Sequence, residues 1–235
     1  MGEALRLVTD RRLLTDRFDT PIGEMLIVTD HDGNLIATDW TDHEERLLRQ
    51  LRRHYGENGS RLEPARNPNG LTDAIRSYFA GKLEAIDKLP VQAAGTPFQR
   101  EVWRALRQIP CGTTISYGEL AARIGRPSAV RAVGLANGSN PVGVIVPCHR
   151  VIGADGSLTG YGGGIERKRR LLELEARVAL ERMPFSCLPR PMYNFFPTRT
   201  GVPTIVSSTG LAPCCLRFGK QSHFHKRAPV SGARP

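Results

Sequence analysis

The chain has 235 residues and a formal net charge of +10, a length that allows one large or two small domains with their own cores. No apolar run approaches the length of a membrane span, and the first residues interleave charges with short apolar pieces, which argues against a secretory signal. We therefore expect a soluble, cytoplasmic protein whose five cysteines are thiols and, without any CxxC pair, form no zinc site.

The positive charge is distributed unevenly along the chain. Residues 1–96 hold 13 Lys and Arg against 16 Asp and Glu, a net charge of −3, whereas residues 97–180 hold 12 against 6, a net charge of +6. Residues 181–235 hold 8 against 1, a net charge of +7. The basic second block favours a nucleic-acid partner, although a plain solvated face has the same composition.

The first block, residues 1–93, is predicted to be an α/β domain with a small sheet and helices. "EMLIVTD" and "NLIATDW" flank an Asp-Gly turn and predict a β-hairpin. "DHEERLLRQLRRHYG" and "LTDAIRSYFAGKL" follow with helical spacing of their apolar residues. No catalytic group stands out here, and "PVQAAGT" at residues 90–96 is predicted to be the linker.

The second block, residues 94–180, opens with a clear helix start. Thr96 and Gln99 have the spacing of a capping box, and Pro97 occupies the favoured first helical position. Apolar residues then recur on one face until Pro110 ends the helix.

A helix-turn-helix is predicted next. Ser116 and Glu119 form a second capping box, Gly125 is placed to end that helix, and Ser128 is placed to cap the following one. The following helix, within "SAVRAVGLANGSN", is rich in small residues that allow close approach to a DNA backbone or to another helix. Arg131 is its long basic side chain, and an ordinary solvated arginine is the alternative interpretation.

The last block, residues 181–235, is basic and contains many prolines and no apolar period. We expect either a disordered extension or the product of a shifted reading frame. Its cysteines and histidines match no standard ligand spacing, so we expect no bound metal.

The stretch "GVIVPCHRVIG" places Cys148 directly before His149. Cys148 is either a nucleophile or a small buried residue that ends an apolar run. A thiol, with a reference pKa of about 8.5, needs a base or a positive environment to react. Neighbours on a regular strand face opposite sides, so either the chain turns at Pro147 or His149 acts through a water.

The helix "IERKRRLLELEARVAL" supplies a partner for that histidine. At about 100° per residue, Glu175 lies in the centre of the apolar stripe, whereas Glu173 lies on the polar side. A carboxylate on a buried face needs a partner, and His149 is the candidate. Lys168 shares the stripe two turns away, about 10 Å, which disfavours a direct pair.

These motifs together resemble the O6-alkylguanine-DNA alkyltransferases, also called methylated-DNA-protein-cysteine methyltransferases, of the bacterial, non-inducible type. The resemblance rests on "PCHRVIG", on "LTGYGGGIERKRRLLELE" and on the segment from "TPFQREVWRAL" to the cysteine. It implies a ribonuclease H-like N-terminal domain and a mostly helical C-terminal domain with a winged-helix-like helix-turn-helix.

The resemblance also implies roles for individual residues. Cys148 is the alkyl acceptor, His149 the water-mediated base and Glu175 the residue that orients the histidine. Tyr117 reaches N3 of a guanine that has been flipped out of the duplex, and Arg131 fills the gap that this base leaves.

Four further residues complete the expected site. Asn140 ties the DNA-binding helix to the active-site loop, and the carbonyl of Val151 accepts from the guanine amino group. Tyr161 forms the pocket wall, and the backbone of Gly162 donates to O6, where some relatives have a serine. As an isolated segment, the glycine loop "GSLTGYGGGI" at residues 156–165 could equally be a plain surface turn.

The expected partner is double-stranded DNA that contains O6-alkylguanine, with O4-alkylthymine as a further substrate. The protein would act as a monomer without a cofactor or a metal. Two alternatives remain: a non-catalytic alkyltransferase-like damage sensor, and a cysteine hydrolase that would need oxyanion donors and turnover.

Overall fold

The computed structural model describes residues 11–56 and 60–182. The expectations for the basic tail, with its cysteines and histidines, fall on residues 183–235 and lie outside this range. Within the described residues, no helix is long and apolar enough to cross a bilayer.

The described residues form two sheets and six α-helices. The strands are β1 Arg11–Thr20, β2 Gly23–Thr29, β3 Leu35–Trp40, β4 Ser60–Pro64, β5 Ile115–Ser116 and β6 Val151–Ile152. The helices are α1 Glu44–Tyr55, α2 Leu71–Phe79, α3 Pro97–Leu106, α4 Tyr117–Arg123, α5 Val130–Gly138 and α6 Ile165–Glu181. The expected α/β half followed by a mostly helical half is therefore confirmed.

The N-terminal sheet has the strand order β3-β2-β1-β4, in which only β4 runs parallel to its neighbour. The predicted hairpin is β2 and β3. Successive side chains of β2 point to opposite faces, and both faces are buried. Leu26 and Val28 pack against α1, while Met25 and Ile27 join a larger core that continues through α2 into the C-terminal half.

The free edge of β3 is covered by segments from the second half of the chain. The linker runs beside it, with the N–H of Leu35 donating to the carbonyl of Pro90 at 2.9 Å. Farther along, the N–H of Thr38 donates to the carbonyl of Pro141 at 2.8 Å, and its hydroxyl donates to the carbonyl of Gly143 at 2.8 Å. The segment that leads to Cys148 is thus anchored on the N-terminal sheet.

Both predicted capping boxes are present. The N–H of Gln99 donates to Thr96 Oγ1 at 3.2 Å, and the N–H of Thr96 donates to the Gln99 side chain at 2.9 Å. Ser116 and Glu119 make the same reciprocal pair at 3.1 and 2.6 Å. Gly125 follows α4 with a φ of 72°, a left-handed conformation that favours glycine after a helix.

The expected cap of α5 is wrong by one residue. Ala129, not Ser128, is the N-cap, and no side chain caps this helix. The N–H of Ala129 closes a turn on the carbonyl of Arg126 at 2.9 Å, so the first helical bond runs from Val133 to Ala129. Ser128 is therefore held inside the turn between the two helices, one position too early to cap α5.

Candidate active site

Cys148 lies on a sharp turn rather than on a strand. Pro147 has φ −80° and ψ 64°, and the N–H of Cys148 donates to the carbonyl of Val146 at 2.8 Å, which is an inverse γ-turn. A single 3-10 turn, Cys148–Arg150, follows. The chain thus turns at Pro147, and the opposite-face geometry of a strand does not apply to Cys148 and His149.

Cys148 is buried, with 7% of the residue exposed. Its burial raises its pKa, while a hydrogen bond from the Asn140 side chain and the positive charge of Lys168 act in the opposite direction. At neutral pH the resting group is therefore the thiol, which needs a base before it can act as a nucleophile.

His149 and Glu175 form the pair that the helical stripe predicts. His149 Nε2 lies 3.0 Å from Glu175 Oε1, and both residues are fully buried. Burial lowers the pKa of His149, an effect that Glu175 only partly opposes, so the imidazole is neutral near pH 7. Its second nitrogen, Nδ1, is buried, has no hydrogen-bond partner among the described residues and is available to accept a proton.

Glu175 is held by more groups than the sequence indicates. Arg150 donates to it through Nε at 2.9 Å and through a terminal nitrogen at 2.7 Å. The hydroxyl of Tyr78 donates to Glu175 Oε1 at 2.8 Å, and the N–H of Gly112 donates to Oε2 at 3.2 Å. Burial would raise the pKa of Glu175, but His149 and Arg150 outweigh this and hold it far below its ordinary value.

Arg150 and Tyr78 both donate to Glu175 in the candidate site, and sequence reasoning misses both. Arg150 carried a usable signal, because a carboxylate on a buried helix face needs a positive charge and Arg150 is adjacent to His149. Tyr78 carried none, since it occupies an apolar position of α2 in the other half of the chain. Burial raises the pKa of Tyr78, so its hydroxyl stays a donor to Glu175.

Lys168 is fully buried and does not pair with Glu175, as the two-turn separation predicts. Its ammonium donates to the carbonyl of Val151 at 2.6 Å and to that of Thr159 at 2.9 Å. Burial lowers the pKa of Lys168 to about 8. Lys168 thereby joins the strand after Cys148 to the glycine loop, and it already occupies one acceptor position of the Val151 carbonyl.

Asn140 connects the segment that follows α5 to the loop before Cys148. Its Nδ2 donates to the carbonyl of Val146 at 2.8 Å, and its Oδ1 accepts from the N–H of Val142 at 3.0 Å. Between them, Val144 has a φ of 72°, a strained conformation for a β-branched residue. Asn140 therefore bridges across the loop that contains this strained residue.

A cavity of about 230 Å³ reaches Cys148 from the surface. Asn140, Tyr161 and Gly162 line it together with Cys148, which brings four of the expected site residues to one place. His149, Val151 and Glu175 are buried behind the nucleophile.

The N-terminal half forms the opposite wall of this cavity, although the sequence assigns it no site residue. Arg46 of α1 donates to the carbonyl of Gly162 and is held by Asp39 at 2.5 and 2.9 Å. Trp40 packs so closely on Gly163 that an ideal Cβ there would lie 2.3 Å from its indole nitrogen. The N-terminal half thus contacts the glycine loop through Arg46 and Trp40. The contact with Trp40 leaves no room for a side chain, so glycine is required at residue 163.

Tyr117 and Arg131 lie outside the cavity lining. The Tyr117 hydroxyl accepts from Thr159 Oγ1 at 3.0 Å, which places it against the glycine loop. Arg131 is exposed on α5 and forms no ion pair with any described residue. Leu135, on the same helix, is 72% exposed. The outer face of α5 therefore presents one arginine, one leucine and small residues.

Comparison with known proteins identifies the family. A relative from Shigella flexneri named methylated-DNA–protein-cysteine methyltransferase is 50% identical over 169 residues, which are 72% of this chain and 99% of the relative. The chain belongs to this family. A relative of the same name from Mycobacterium bovis is 55% identical over 158 residues, or 67% of this chain and 88% of the relative.

Family models and a solved structure of this methyltransferase family match both halves of the chain. The 6-O-methylguanine DNA methyltransferase ribonuclease-like domain matches residues 13–93, and the DNA binding domain matches residues 97–177. The crystal structure of Mycobacterium tuberculosis OGT in complex with DNA is 44% identical, with a TM-score of 0.58, over 71% of this chain and 94% of that one.

Proposed function

We propose that the protein repairs DNA by transferring the alkyl group of O6-alkylguanine irreversibly to its own Cys148. The observation that carries this proposal is the buried Cys148 thiol at the end of a surface cavity, directly before a neutral His149 that Glu175 holds at 3.0 Å. The names of the relatives support the same reaction.

The transfer is a displacement at an sp3 carbon. His149 Nδ1 accepts the thiol proton through a water, and the resulting thiolate forms a bond to the alkyl carbon as the bond from that carbon to O6 breaks. The electron pair leaves with the guanine, which gains a proton at N3 from the Tyr117 hydroxyl. The tyrosinate then regains a proton from solvent, and the imidazolium of His149 returns its proton to solvent. Glu175 stabilises the imidazolium, and the thioether on Cys148 ends the single turnover.

The same arrangement keeps the nucleophile inactive until a substrate arrives. Burial raises the pKa of Cys148, and burial lowers the pKa of His149, so proton transfer between them is unfavourable at rest. In the transition state the alkyl carbon takes up the developing sulfur charge, and the proton is left on an imidazole beside Glu175. Proton transfer from Cys148 to His149, which is unfavourable at rest, therefore adds little to the free energy of the transition state.

The outer face of α5 is suited to the minor groove of a duplex. Its small residues allow close approach, Arg131 fills the gap left by the flipped base, and Leu135 is exposed on the same face as an apolar contact. Tyr161 and the backbone of Val151 and Gly162 then hold the base, with O4-alkylthymine as a second substrate. The protein acts as a monomer and without a cofactor.

We also propose finer fold assignments for the two halves. Three antiparallel strands with a parallel fourth and helices on the sheet support a ribonuclease H-like arrangement. The two-stranded parallel sheet of β5 and β6 beside α4 supports a winged-helix-like arrangement.

The decisive experiment follows a labelled methyl group from O6-methylguanine in duplex DNA. We expect one label per protein molecule, bound to Cys148 and absent in Cys148→Ala. The control is Cys111→Ala, which removes another thiol of the described residues, one whose pKa burial raises to about 11. Tight binding of the duplex without transfer of label would instead identify a damage sensor, and repeated turnover would identify a hydrolase.

A further inference from the structure

The last two turns of α1 expose a pair of arginines that the proposed chemistry does not use. Leu47 and Leu51 bury the inner face of this helix against the sheet. Arg49 and Arg53, four residues apart and therefore on one side of the helix, are exposed and line the cavity that reaches Cys148.

These two arginines lack the ion pairs that other arginines make. Two of the nearby acidic residues are engaged elsewhere, because Glu44 pairs with Arg17 and Asp39 pairs with Arg46. Glu45, one turn before Arg49 on α1, forms no ion pair with any described residue. Within residues 11–56 and 60–182, no carboxylate forms an ion pair with Arg49 or Arg53. They are a local concentration of positive charge in a block whose net charge is −3.

The pair lies next to the C-terminal end of the helix proposed to contact DNA. Gln50, between the two arginines in α1, donates to the carbonyl of Ser139 at 3.2 Å. Gly138 and Ser139, at the end of α5, line the same cavity as the arginines. Since α5 has nine residues and is about 13 Å long, a duplex along its outer face extends to this end.

This end of α5 cannot bind phosphate by itself. The C-terminus of a helix carries a partial negative charge, and the last turn of α5 contains no basic residue. An ideal Cβ on Gly138 would meet no atom of residues 11–56 or 60–182 within 4 Å, so the described part of the chain leaves the space in front of it open. A phosphate that enters this space needs cations from another element, and α1 supplies two.

We propose that Arg49 and Arg53 form a second DNA contact of this protein, to backbone phosphates beside the flipped nucleotide. The proposal rests on the proposed function. It gives the N-terminal half a direct role in DNA binding that is independent of base sequence, because guanidinium groups bind phosphate oxygens through paired hydrogen bonds.

The test measures how DNA binding depends on salt. The double variant Arg49→Ala with Arg53→Ala is compared with the full-length wild type on an unmodified duplex. Each lost phosphate contact reduces the slope of log K against log salt by about 0.9, so we expect a slope shallower by about 1.8. The ratio of the wild-type binding constant to that of the variant then falls roughly 12-fold as the salt concentration rises from 50 to 200 mM.

A charge-matched control is Arg12→Ala with Arg177→Ala, which removes two exposed arginines that do not line this cavity. We expect the control to keep the wild-type slope. Reaction with the free base O6-benzylguanine, which has no phosphate, should proceed at the wild-type rate in both double variants.

Two results would overturn the proposal. A wild-type salt slope in the α1 variant would show that these arginines contact no phosphate, and an equal loss of reaction with the free base would place them in base binding. Label transfer from O6-methylguanine DNA to the wild-type protein is measured separately. If only that transfer fails, the proposed function is wrong, whereas an unchanged slope with intact transfer refutes the α1 contact alone.

Discussion

Replacing Glu175 by alanine tests the buried network behind the nucleophile. The substitution leaves Arg150, which is 3% exposed, with an unpaired charge, and it removes the acceptor of Tyr78 and His149. Removing one partner of a buried ion pair costs about 3–5 kcal/mol. This is a large part of the stability of a typical domain, which is about 5–15 kcal/mol.

Urea unfolding at pH 7 measures this loss directly. With a dependence of about 2 kcal/mol per molar urea, the midpoint of Glu175→Ala should fall by about 1.5–2.5 M. The matched control is Glu173→Ala on the same helix, which removes a partly exposed carboxylate and should change the free energy of unfolding by less than about 0.5 kcal/mol. A loss below about 1 kcal/mol for Glu175→Ala would refute the buried-pair argument.

The pH dependence of the free energy of unfolding tests independently whether ionised Glu175 stabilises the folded state. The folded-state pKa of Glu175 lies below its unfolded value of about 4.3, so the stabilisation is complete above roughly pH 5 and is lost as the pH falls. Glu175→Gln removes this titration. We therefore expect the stability gap between wild type and Glu175→Gln to narrow between about pH 5 and pH 2, and a constant gap would contradict the reasoning.

Three further predictions concern the loop, the base and the DNA helix. Gly163→Ala should destabilise the protein by about 1–3 kcal/mol, because the added methyl group collides with the buried Trp40 ring. The rate of alkyl transfer to Cys148 should fall with acid only below about pH 6.5, because burial lowers the pKa of His149 beneath that ordinary value. Arg131→Ala should weaken repair of duplex DNA while reaction with the free modified base is largely preserved.

Each of these has a control and a contradicting result. The methyl group of Gly162→Ala would meet the Arg46 guanidinium at 2.6 Å, and this partly exposed side chain can shift into solvent at the cost of its contacts with Asp39. Gly162→Ala should therefore destabilise less than Gly163→Ala, and the reverse order would contradict the packing argument. A transfer rate that already declines from pH 8 to pH 7 would contradict a neutral His149. Equal losses on duplex and free base would contradict a flipping role for Arg131.

Local patterns in the sequence were sufficient for much of the fold. The capping boxes at Thr96 and Ser116 involve residues only three positions apart, and the structure confirms both. The Asp-Gly hairpin is equally local. Ser128 shows the limit, because the position at which α5 begins depends on how the turn from Arg126 closes, and that closure places the N-cap at Ala129, which has no capping side chain.

The part of the candidate site that lies on a single helix could be predicted from the sequence. Glu175 could be assigned to a buried face because a carboxylate interrupts an apolar stripe within one helix, and the family and its reaction followed from motifs in order. The comparisons confirm the family and its activity. The roles of individual residues stay predictions, although the geometry brings Cys148, His149 and Glu175 together.

The sequence by itself determined the helices, the hairpin and the pairing of His149 with Glu175, since these depend on residues close in the chain or on one periodic face. Only the tertiary structure decided which distant groups complete the site. Tyr78 reaches Glu175 across 97 positions, and Arg46 reaches Gly162 across 116. Such contacts depend on how the two halves dock through a shared core, and no local propensity or spacing encodes that docking.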